Sequence, residues 1–597
     1  MLKPEIAERI RAFAAGADST GLRDTVDAVL NALVTGDQAA SDALEDAFGR
    51  DLDFGTGGLR GIMGPGSNRM NLFTVAKATQ GLANYINQHK PGGSLCIAYD
   101  SRHRSAEFAR EAASVLAGNG LKVYLFSDVR PTPELSFSVR EKGATAGIVV
   151  TASHNPKEYN GYKVSWDDGG QVLPPHDSGI IDEVRKVERS EQIEHAEFSD
   201  AQRDGLIISM DQDVDAAYLD ALEKVRMRTE LSDKRGGDLR IVYTPLHGTG
   251  IRIVPPALKR WGFTDVQIVE QQAQPDGNFP TTKSPNPEER AALELAIELA
   301  RSKDADLVMA TDPDADRIGI AVKHSGDYVL MTGNQVGALL AYYVCESLRE
   351  QGKLPTNGVL IKTIVTTELI AAIARDYGVG IENCLTGFKY IAQLMRGYEE
   401  RGTPGKPEKA FLMGCEESYG YLVGTHARDK DAVVAACVLA EMALWAKTNG
   451  KTLVDLLHGL YARYGVFVET QLSKTMPGLS GMKEIQALMD CLRNAPPKEI
   501  GGIAVSSVTD IANDTRRDLK AGTEASGPGL PKSNVLLFEL EDGSLVVARP
   551  SGTEPKIKFY FMVVDKEGTP LSEAELESRV HSCEAKEQRL RAAMDKL

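Results

Sequence analysis

The sequence has few cysteines and no long apolar run. Its seven cysteines are scattered without CxxC spacing, so we expect reduced thiols rather than a disulfide framework or a paired-cysteine zinc site. The apolar runs are shorter than a membrane-crossing helix requires. The amino terminus carries acidic residues early and lacks the apolar segment of a signal peptide. These absences predict a cytoplasmic protein with no membrane partner.

Net positive charge is also absent. The chain has 68 Lys and Arg against 84 Asp and Glu, a formal charge of −16. This balance argues against nucleic acid as a partner, although local basic clusters can still bind phosphate. Three common motifs do not occur: the Gly-x-x-x-x-Gly-Lys loop that binds nucleotides, the Gly-x-Ser-x-Gly hydrolase motif and the His-Glu-x-x-His zinc motif. Any chemistry must therefore come from other polar loops.

The chain is too long for one hydrophobic core, and its pattern repeats. After helices in the segment 3–50, short apolar strands alternate with amphipathic helices, which is typical of α/β domains. This alternation occurs three times, and the C-terminal part is rich in strands. We predict an α/β fold of three similar mixed-sheet domains plus a C-terminal α+β domain, with loops at Ser473–Gly481 and Ala521–Lys532. The predicted domains are 1–230, 231–330, 331–460 and 461–597.

A serine stands at the exit of an apolar strand in the segment 147–156, Gly-Ile-Val-Val-Thr-Ala-Ser-His-Asn-Pro. The turn presents Ser153 and is closed by Asn-Pro, a strong chain breaker. A hydroxyl in this place suits a nucleophile or a phosphate carrier, and His154 and Lys163 are nearby candidates for proton transfer. Taken alone, the segment is equally well explained as a turn with a capping serine.

Three acids alternate in the segment 312–317, Asp-Pro-Asp-Ala-Asp-Arg, which follows an apolar strand. Such carboxylates are hard oxygen ligands for Mg²⁺ or Ca²⁺. The EF-hand pattern fails, because Arg317 replaces the glycine of the sharp turn and Lys323 replaces the closing glutamate. An incomplete cage of this kind suits Mg²⁺ that shares a phosphate oxygen. The alternative is a solvated acidic turn, which repulsion among the three acids disfavours.

Two further polar loops follow or join strands. The segment 414–420, Gly-Cys-Glu-Glu-Ser-Tyr-Gly, offers carboxylates and a hydroxyl that can bind vicinal sugar hydroxyls. The segment 549–556, Arg-Pro-Ser-Gly-Thr-Glu-Pro-Lys, could hold phosphate between hydroxyls, backbone amides and the arginine. Without the other loops, the first would be better explained as a charged loop with a helix cap, and the second could be a hairpin turn.

Together and in this order, the four loops resemble those of the α-D-phosphohexomutases over nearly the whole chain. Within that family, the segment 54–61, Phe-Gly-Thr-Gly-Gly-Leu-Arg-Gly, and the Glu-Glu-Ser-Tyr of the third loop are most similar to the bacterial α-phosphoglucomutase and phosphopentomutase-like branch. Phosphomannomutases of the bifunctional kind usually carry a histidine where this chain has Gly420. The resemblance implies four domains around a central cleft, with the fourth closing over the substrate.

The resemblance also implies an isomerase that interconverts α-glucose 1-phosphate and glucose 6-phosphate, with phosphorylated Ser153 as the donor. It implies Mg²⁺ as cofactor and glucose 1,6-bisphosphate as intermediate and activator. The metal ligands would be Ser153, Asp312, Asp314 and Asp316. The catalytic residues would be Ser153, His154, Lys163, Arg60 and Lys430, with Lys163 preferred for proton transfer because nearby cations would help it lose a proton. The substrate-binding residues would be Glu416, Ser418, Thr386, Gly387, Lys389, Arg428, Arg549, Ser551, Gly552, Thr553 and Arg317.

Other functions remain open from the sequence. Within the same fold, the alternatives are a phosphopentomutase, a phosphomannomutase and a glucose 1,6-bisphosphate synthase. Outside the mutases, they are a sugar-phosphate phosphatase and a non-catalytic sugar-phosphate-binding protein. In every case the expected partners are small sugar phosphates, and we expect a monomer or a weak homodimer.

Overall fold

The computed structural model describes residues 4–17, 38–55, 57–476, 478–551 and 556–597. Contacts divide the chain into two compact units. The first unit comprises Met1–Leu330, Ala392–Gly397 and Gly420–Leu444, and the second comprises Met331–Ile391, Tyr398–Tyr419 and Trp445–Leu597. The N-terminal segment contributes the helices α1 (Pro4–Ala17) and α2 (Gln38–Phe48), which pack through Ile6, Ile10, Phe13, Leu44 and Phe48. Part of the predicted helical segment 3–50, residues 18–37, lies outside the described residues.

The first sheet belongs to the first unit. Its strands are β1 (Gly58–Ile62), β2 (Ser94–Tyr99), β3 (Lys122–Leu125), β4 (Ala146–Val150), β5 (Tyr159–Trp166) and β6 (Ile207–Ser209). They lie in the order β1-β5-β4-β2-β3-β6, where β2 is parallel to β3 and β4, and β5 is antiparallel to β4. Its helices are α3 (Leu72–His89), α4 (Ser105–Gly118), α5 (Thr132–Glu141), α6 (His176–Lys186), α7 (Phe198–Arg203) and α8 (Gln212–Glu223). Every residue of β4 is buried, which is why it appears as an unbroken apolar run.

The second sheet, also in the first unit, repeats this arrangement. Its strands are β7 (Ile241–Thr244), β8 (Val266–Ile268), β9 (Leu307–Thr311), β10 (Ile318–His324) and β11 (Asp327–Leu330). They lie in the order β11-β10-β9-β7-β8, where β7 is parallel to β8 and β9, and β10 is antiparallel to β9. Its helices are α9 (Thr229–Arg235), α10 (Val254–Arg260), α11 (Glu270–Ala273) and α12 (Arg290–Lys303).

A third set of parallel strands belongs to the second unit. Its strands are β12 (Gly358–Thr363), β13 (Gly380–Cys384) and β14 (Ala410–Glu416), and the next strand along the chain is β15 (Gly420–Val423). β12 is parallel to both β13 and β14, as β2 and β7 are to their neighbours. The helices of this part of the chain are α13 (Gly333–Glu350), α14 (Leu369–Tyr377), α15 (Phe388–Arg401), α16 (Ala432–Thr448) and α17 (Leu453–Tyr464). In all three repeats a polar loop follows the third parallel strand.

The C-terminal sheet is antiparallel and lies in the second unit. Its strands are β16 (Val466–Thr475), β17 (Glu499–Ile500), β18 (Ile503–Asp510), β19 (Thr515–Asp518), β20 (Thr523–Ser526), β21 (Leu536–Leu540), β22 (Leu545–Pro550) and β23 (Lys556–Asp565). The order is β16-β23-β22-β21-β18-β19-β20, with β17 paired to β18. Its helices are α18 (Gly478–Asn494) and α19 (Glu573–Asp595). The predicted α/β class is therefore confirmed, whereas the domain boundaries and the central cleft stay predictions.

Both predicted loops of the C-terminal part are wrong in part. The segment Ser473–Gly481 contains the end of β16 and the start of α18, and Ala521–Lys532 contains β20, which pairs with β19. All four residues of β20 are exposed. A strand without a buried face has no alternating pattern, so only pairing along the sheet edge reveals it.

The structure gives the state of the cysteines and the length of the apolar helices. All seven cysteines are free thiols, and only Cys491 is exposed. Among the helices that the structure describes, none is by itself long and apolar enough to cross a membrane, and α16 with α17 meets that test only as a bent pair.

Helix α5 carries a buried carboxyl that receives no hydrogen bond from a described residue. Glu134 is fully buried, and neither carboxylate oxygen receives a hydrogen bond from a described residue. Burial, followed by the neighbouring Asp215 carboxylate, raises the pKa of Glu134 well above its usual value. The folded protein therefore keeps this proton at a pH where the unfolded chain has released it.

We expect Glu134→Gln to reduce the loss of stability at high pH. Because the folded pKa is raised, Glu134 lowers the free energy of unfolding as pH rises from about 4.3, its unfolded value, towards the folded pKa. The fall in Tm between about pH 5 and about pH 8 should be smaller in the variant than in the wild type. Identical Tm–pH curves for the two proteins would contradict this account.

Candidate active site

Ser153 lies in the loop between β4 and β5. It is 3% exposed, and its backbone is left-handed, with φ of 53°. Its N–H donates to Thr151 Oγ1 at 2.8 Å, which helps to hold the turn. Its hydroxyl donates to Asp312 Oδ2 at 2.7 Å and lies 3.2 Å from His154 Nδ1. A strained backbone at a polar strand exit is typical of a functional residue, and here it directs the hydroxyl to the acidic loop.

The acidic loop lies between β9 and β10. Asp312, Asp314 and Asp316 are almost completely buried, and one oxygen of each lies within 4.8 Å of the others. Asp312 Oδ1 accepts the backbone N–H groups of Asp316 and Arg317, both at 3.1 Å, so the loop is closed on its first acid. Asp314 Oδ1 and Asp316 Oδ1 receive no hydrogen bond from a described residue. This is a set of hard oxygen ligands with unused acceptor capacity.

The electrostatics of the three acids differ because their neighbours differ. Burial, with the charges of the other two acids, raises the pKa of Asp312 well above its usual value. Burial and Asp314 likewise raise the pKa of Asp316, against the opposing effect of Lys430. Burial alone would also raise the pKa of Asp314, but Lys163 and a hydrogen bond from Thr132 hold it below its usual value. Such a cluster needs a compensating cation.

Two lysines supply part of that compensation. Lys163 Nζ, from β5, lies 3.1 Å from Asp314 Oδ2 and 3.9 Å from Asp316 Oδ2. Lys430 Nζ lies 3.0 Å from Asp316 Oδ2 and 2.8 Å from Asp429 Oδ1. The prediction of cations beside Lys163 is wrong, because its closest charged partners are the carboxylates of Asp314 and Asp316. Lys163 therefore lies where it can donate a proton or a hydrogen bond.

Sequence analysis missed Thr132, the first residue of α5. Its hydroxyl donates to Asp314 Oδ2 at 2.8 Å, and its N–H donates to the Asp314 carbonyl oxygen at 2.9 Å. Thr132 follows β3 in the polar segment Val-Arg-Pro-Thr-Pro. Its position after the parallel strand β3 is the signal in the sequence, because ligands bind at the carboxyl ends of such strands.

Arg102 is a second residue whose role was not foreseen. It is 3% exposed, and its guanidinium donates to four backbone carbonyl oxygens of the serine loop. Nη1 donates to Pro156 at 2.8 Å and Tyr159 at 3.1 Å, and Nη2 donates to Ser153 and Asn155, both at 2.5 Å. A basic residue in a short turn is usually a surface charge, so the sequence carried no sign of this contact.

The other predicted residues of the first unit are placed in different ways. Arg60 Nη1 lies 3.5 Å from Asn155 Oδ1 and so contacts the serine loop. Arg317 pairs with Glu288 at 3.0 Å. Burial, and then the charges of Arg317 and Arg60, lower the pKa of His154 well below its usual value, which keeps the imidazole neutral at neutral pH.

Arg428, predicted to bind substrate, has no exposed surface. Its guanidinium donates to the carbonyl oxygens of Thr425 and Ala427. Its backbone N–H donates to Ser136 Oγ at 2.8 Å. In this conformation its contacts are those of a residue that holds the loop before Lys430.

The side chain of Lys430 leaves no room for a side chain at position 420, which accounts for the glycine there. A Cβ at Gly420 would lie 2.2 Å from Lys430 Cδ. We expect Gly420→Ala to displace the lysine from Asp316 and to lower kcat by about 10–100-fold, because small displacements of catalytic groups are costly. The check is a double-mutant cycle with Lys430→Met, in which the second change should add little to the first. Fully additive losses of activity would contradict the coupling.

The third loop lies in the second unit. Glu416 is 4% exposed, and its Oε1 accepts the N–H of Gly387, which has φ of 123°, at 2.8 Å. The structure thus joins the predicted segment Thr386–Gly387 to this loop. Ser418 is partly buried beside it. Burial, and then Glu416, raise the pKa of Glu417 to about 7, while Lys558 and Arg549 act in the opposite direction.

The fourth loop follows β22 in the same unit. Arg549 Nη1 lies 3.5 Å from Tyr560 Oη, and the Ser551 N–H donates to the Lys556 carbonyl oxygen at 2.7 Å. Lys389 Nζ lies 5.3 Å from the centre of the Tyr390 ring. Gly552 and Thr553 lie outside the described residues. Tyr560 and Val547 pack with Ile364, Val365 and Leu385, so the sheet beneath the fourth loop contacts the segments that follow β12 and β13.

Models of three domains match the chain. They describe the α/β/α domains I, II and III of phosphoglucomutase/phosphomannomutase and cover residues 51–191, 216–326 and 332–464. The chain is 38% identical over 521 residues to a phosphoglucomutase of Staphylococcus haemolyticus, which covers 86% of this chain and 91% of that protein.

Solved structures share the fold at low identity. One is a phosphoglucomutase/phosphomannomutase family protein of Burkholderia thailandensis, with a TM-score of 0.61, 20% identity and coverage of 91% of this chain and 97% of that one. Another is parafusin, a phosphoglucomutase of Paramecium, with a TM-score of 0.63, 16% identity and coverage of 90% and 95%. These structures show the shared fold. The three domain models and the 38% identical relative show that the chain belongs to the phosphoglucomutase/phosphomannomutase family of phosphohexomutases, which are isomerases that act as intramolecular phosphotransferases.

Proposed function

We propose that this protein interconverts α-glucose 1-phosphate and glucose 6-phosphate, with Ser153 carrying the transferred phosphoryl group. The observation that carries the proposal is the 2.7 Å contact between Ser153 Oγ and Asp312 Oδ2. It links the only serine hydroxyl of that strand exit to a buried set of three acids, and Lys163 reaches the same set at 3.1 Å. A nucleophile, a cation site and a proton carrier are the parts that phosphoryl transfer requires.

The acids fit Mg²⁺. All three ligands are carboxylates, two of their buried oxygens receive no hydrogen bond from a described residue, and their mutual repulsion favours a bound cation. Asp312, Asp314 and Asp316 would hold the ion together with an oxygen of the serine or its phosphoryl group. When bound, Mg²⁺ supplies charge neutralisation for the transferring phosphoryl group. Lys163 and Lys430 neutralise part of the same negative charge.

In each cycle the serine gives one phosphoryl group to the sugar and receives one back. The bond between Ser153 Oγ and phosphorus breaks as a bond from the free sugar hydroxyl to phosphorus forms, which gives glucose 1,6-bisphosphate. The hydroxyl proton passes through Lys163 to Ser153 Oγ. The second half reverses these steps with the other phosphate, which restores the phosphoserine. His154, whose lowered pKa keeps it neutral, lies with Nδ1 3.2 Å from Ser153 Oγ and so adds no positive charge beside the hydroxyl.

The remaining predicted residues would bind the sugar phosphate. Glu416 and Ser418 suit sugar hydroxyls, because the intermediate must be accepted in two orientations and a few shared contacts serve both. Arg549 and Ser551, with Gly552 and Thr553 of the same loop, would hold the phosphate that does not react. Arg60 contacts the serine loop and is placed to offset its charge when Ser153 is phosphorylated.

The choice of glucose rests on the relative named as a phosphoglucomutase, and a substrate panel tests it. Glucose 1-phosphate, mannose 1-phosphate and ribose 1-phosphate should be compared by kcat/KM with Mg²⁺ and a trace of the matching bisphosphate. We expect the glucose ester to be preferred. A clear preference for the pentose would reassign the substrate without removing the phosphoserine.

A further inference from the structure

The contact that stands out beyond the proposed mechanism is the one between Arg102 and the serine loop. The two terminal nitrogens of the Arg102 guanidinium donate to the carbonyl oxygens of Ser153, Asn155, Pro156 and Tyr159. These are backbone contacts with the serine loop and not contacts with the acidic triad or with Ser153 Oγ. Three of these residues lie in the turn between β4 and β5 and Tyr159 is the first residue of β5, so one side chain binds the turn at several points.

Only a guanidinium satisfies this arrangement. The four acceptors are divided between two terminal nitrogens, Nη1 and Nη2, which a planar fork holds at a fixed separation. A lysine ammonium has a single nitrogen and cannot occupy both positions. The difference between arginine and lysine is therefore a direct test of the fork.

Arg102 is itself held in place. Its Nε lies 3.3 Å from Asp100 Oδ2, and both side chains are fully buried. Asp100 Oδ1 accepts the Arg102 N–H at 2.9 Å and the Ser105 hydroxyl at 2.7 Å. The guanidinium also lies over the Phe279 ring, 5.1 Å from its centre. The facing atoms of this buried pair, Arg102 Nε and Asp100 Oδ2, make no hydrogen bond with a described residue. Such a pair adds little stability, and we take its role to be the orientation of the guanidinium.

We propose that Arg102 is a positioning residue that holds the serine loop in the conformation that brings Ser153 Oγ to the acidic triad. The proposal rests on the proposed phosphoserine function. Two physical effects support it. First, the hydrogen bonds from Arg102 hold the left-handed backbone of Ser153. Second, they orient four carbonyl oxygens towards the guanidinium, so that these oxygens do not repel an anionic phosphoryl group on the serine.

The test is Arg102→Lys, with Arg104→Lys as the matched control. Arg104 lies two residues away, immediately before α4, and pairs with Glu107 in the first turn of that helix. We expect Arg102→Lys to lower kcat by about 100-fold with KM close to that of the wild type, because the loss is one of alignment and not of substrate contact. Tm and circular dichroism should show a folded protein, and Arg104→Lys should retain wild-type kcat.

A second variant keeps the test decisive if Arg102→Lys does not fold. Phe279→Leu removes the ring beneath the guanidinium but leaves every hydrogen bond in place, and we expect a smaller fall in kcat, again with unchanged KM. Wild-type kcat in a folded Arg102→Lys, or in Phe279→Leu where the first is unfolded, would overturn the proposal.

Measurement of the intact mass distinguishes a failure of the positioning role of Arg102 from a failure of the phosphoserine function on which it rests. A wild-type protein that gains no phosphoryl group on Ser153 from glucose 1,6-bisphosphate would refute the phosphoserine function. A phosphorylated wild type, together with an Arg102→Lys variant of normal kcat, would refute the positioning role alone.

Discussion

Ser153→Ala should abolish mutase turnover, with kcat falling by at least about 10⁴-fold, because the phosphoryl group loses its carrier. The fold should survive, since the hydroxyl makes few contacts and alanine tolerates the small change in volume. The measurement pairs coupled-assay kinetics with intact mass after exposure to glucose 1,6-bisphosphate. The wild type should gain one phosphoryl group and the variant none.

Ser178→Ala is the matched control, because Ser178 is an exposed serine of the same unit. It should keep wild-type kcat and the phosphoryl mass. Substantial mutase activity in Ser153→Ala, with its Tm unchanged, would show that another group carries phosphate. The assignment would then move away from the loop between β4 and β5.

Asp312→Asn should change activity and metal-free stability in opposite directions. The amide has nearly the shape of the carboxyl and can still accept the two backbone N–H groups that close the loop. With one charged ligand removed, we expect weaker Mg²⁺ binding by calorimetry and a fall in kcat on the order of 10²–10³-fold. In EDTA, however, the variant should have a higher Tm than the wild type, because repulsion among three buried acids is relieved.

The same experiment contains its own control. Adding Mg²⁺ should raise the Tm of the wild type strongly and that of the variant weakly, since only binding to the folded state stabilises it. Asp327→Asn alters an exposed acid at the start of β11 and should leave Mg²⁺ affinity unchanged. Equal Mg²⁺ affinity in Asp312→Asn and wild type would exclude the triad as the metal site.

Much of the fold was predictable because the central strands of its α/β sheets are buried on both faces. β4 and β9 are completely buried, so each is an unbroken apolar run that ends in a polar loop. The edge strand β20 was missed because nothing buries it. The three repeats share strand order although their sequences differ, since the alternation of strand and helix carries the topology and the individual residues do not.

For the candidate site, the sequence predicts which residue types are present but not which contacts they make. The sequence predicted that the hydroxyl, the three acids and the two lysines take part in phosphoryl transfer, and the structure brings these groups into contact in one part of the first unit. It could not indicate that Lys163 faces carboxylates rather than cations, or that Arg428 is fully buried. Both depend on what packs around each side chain.

The sequence by itself determined the family and the α/β class and indicated the candidate loops, because motifs and periodicity are local properties of the chain. Only the tertiary structure decided which groups meet. Ser153 and Asp312 are 159 residues apart and Lys163 and Asp314 are 151 apart, yet each pair is in hydrogen-bond contact. The role of Arg102 depends on its four backbone acceptors in a turn more than 50 residues away. Backbone carbonyls are present in every residue, so no sequence pattern distinguishes those that a buried guanidinium will bind.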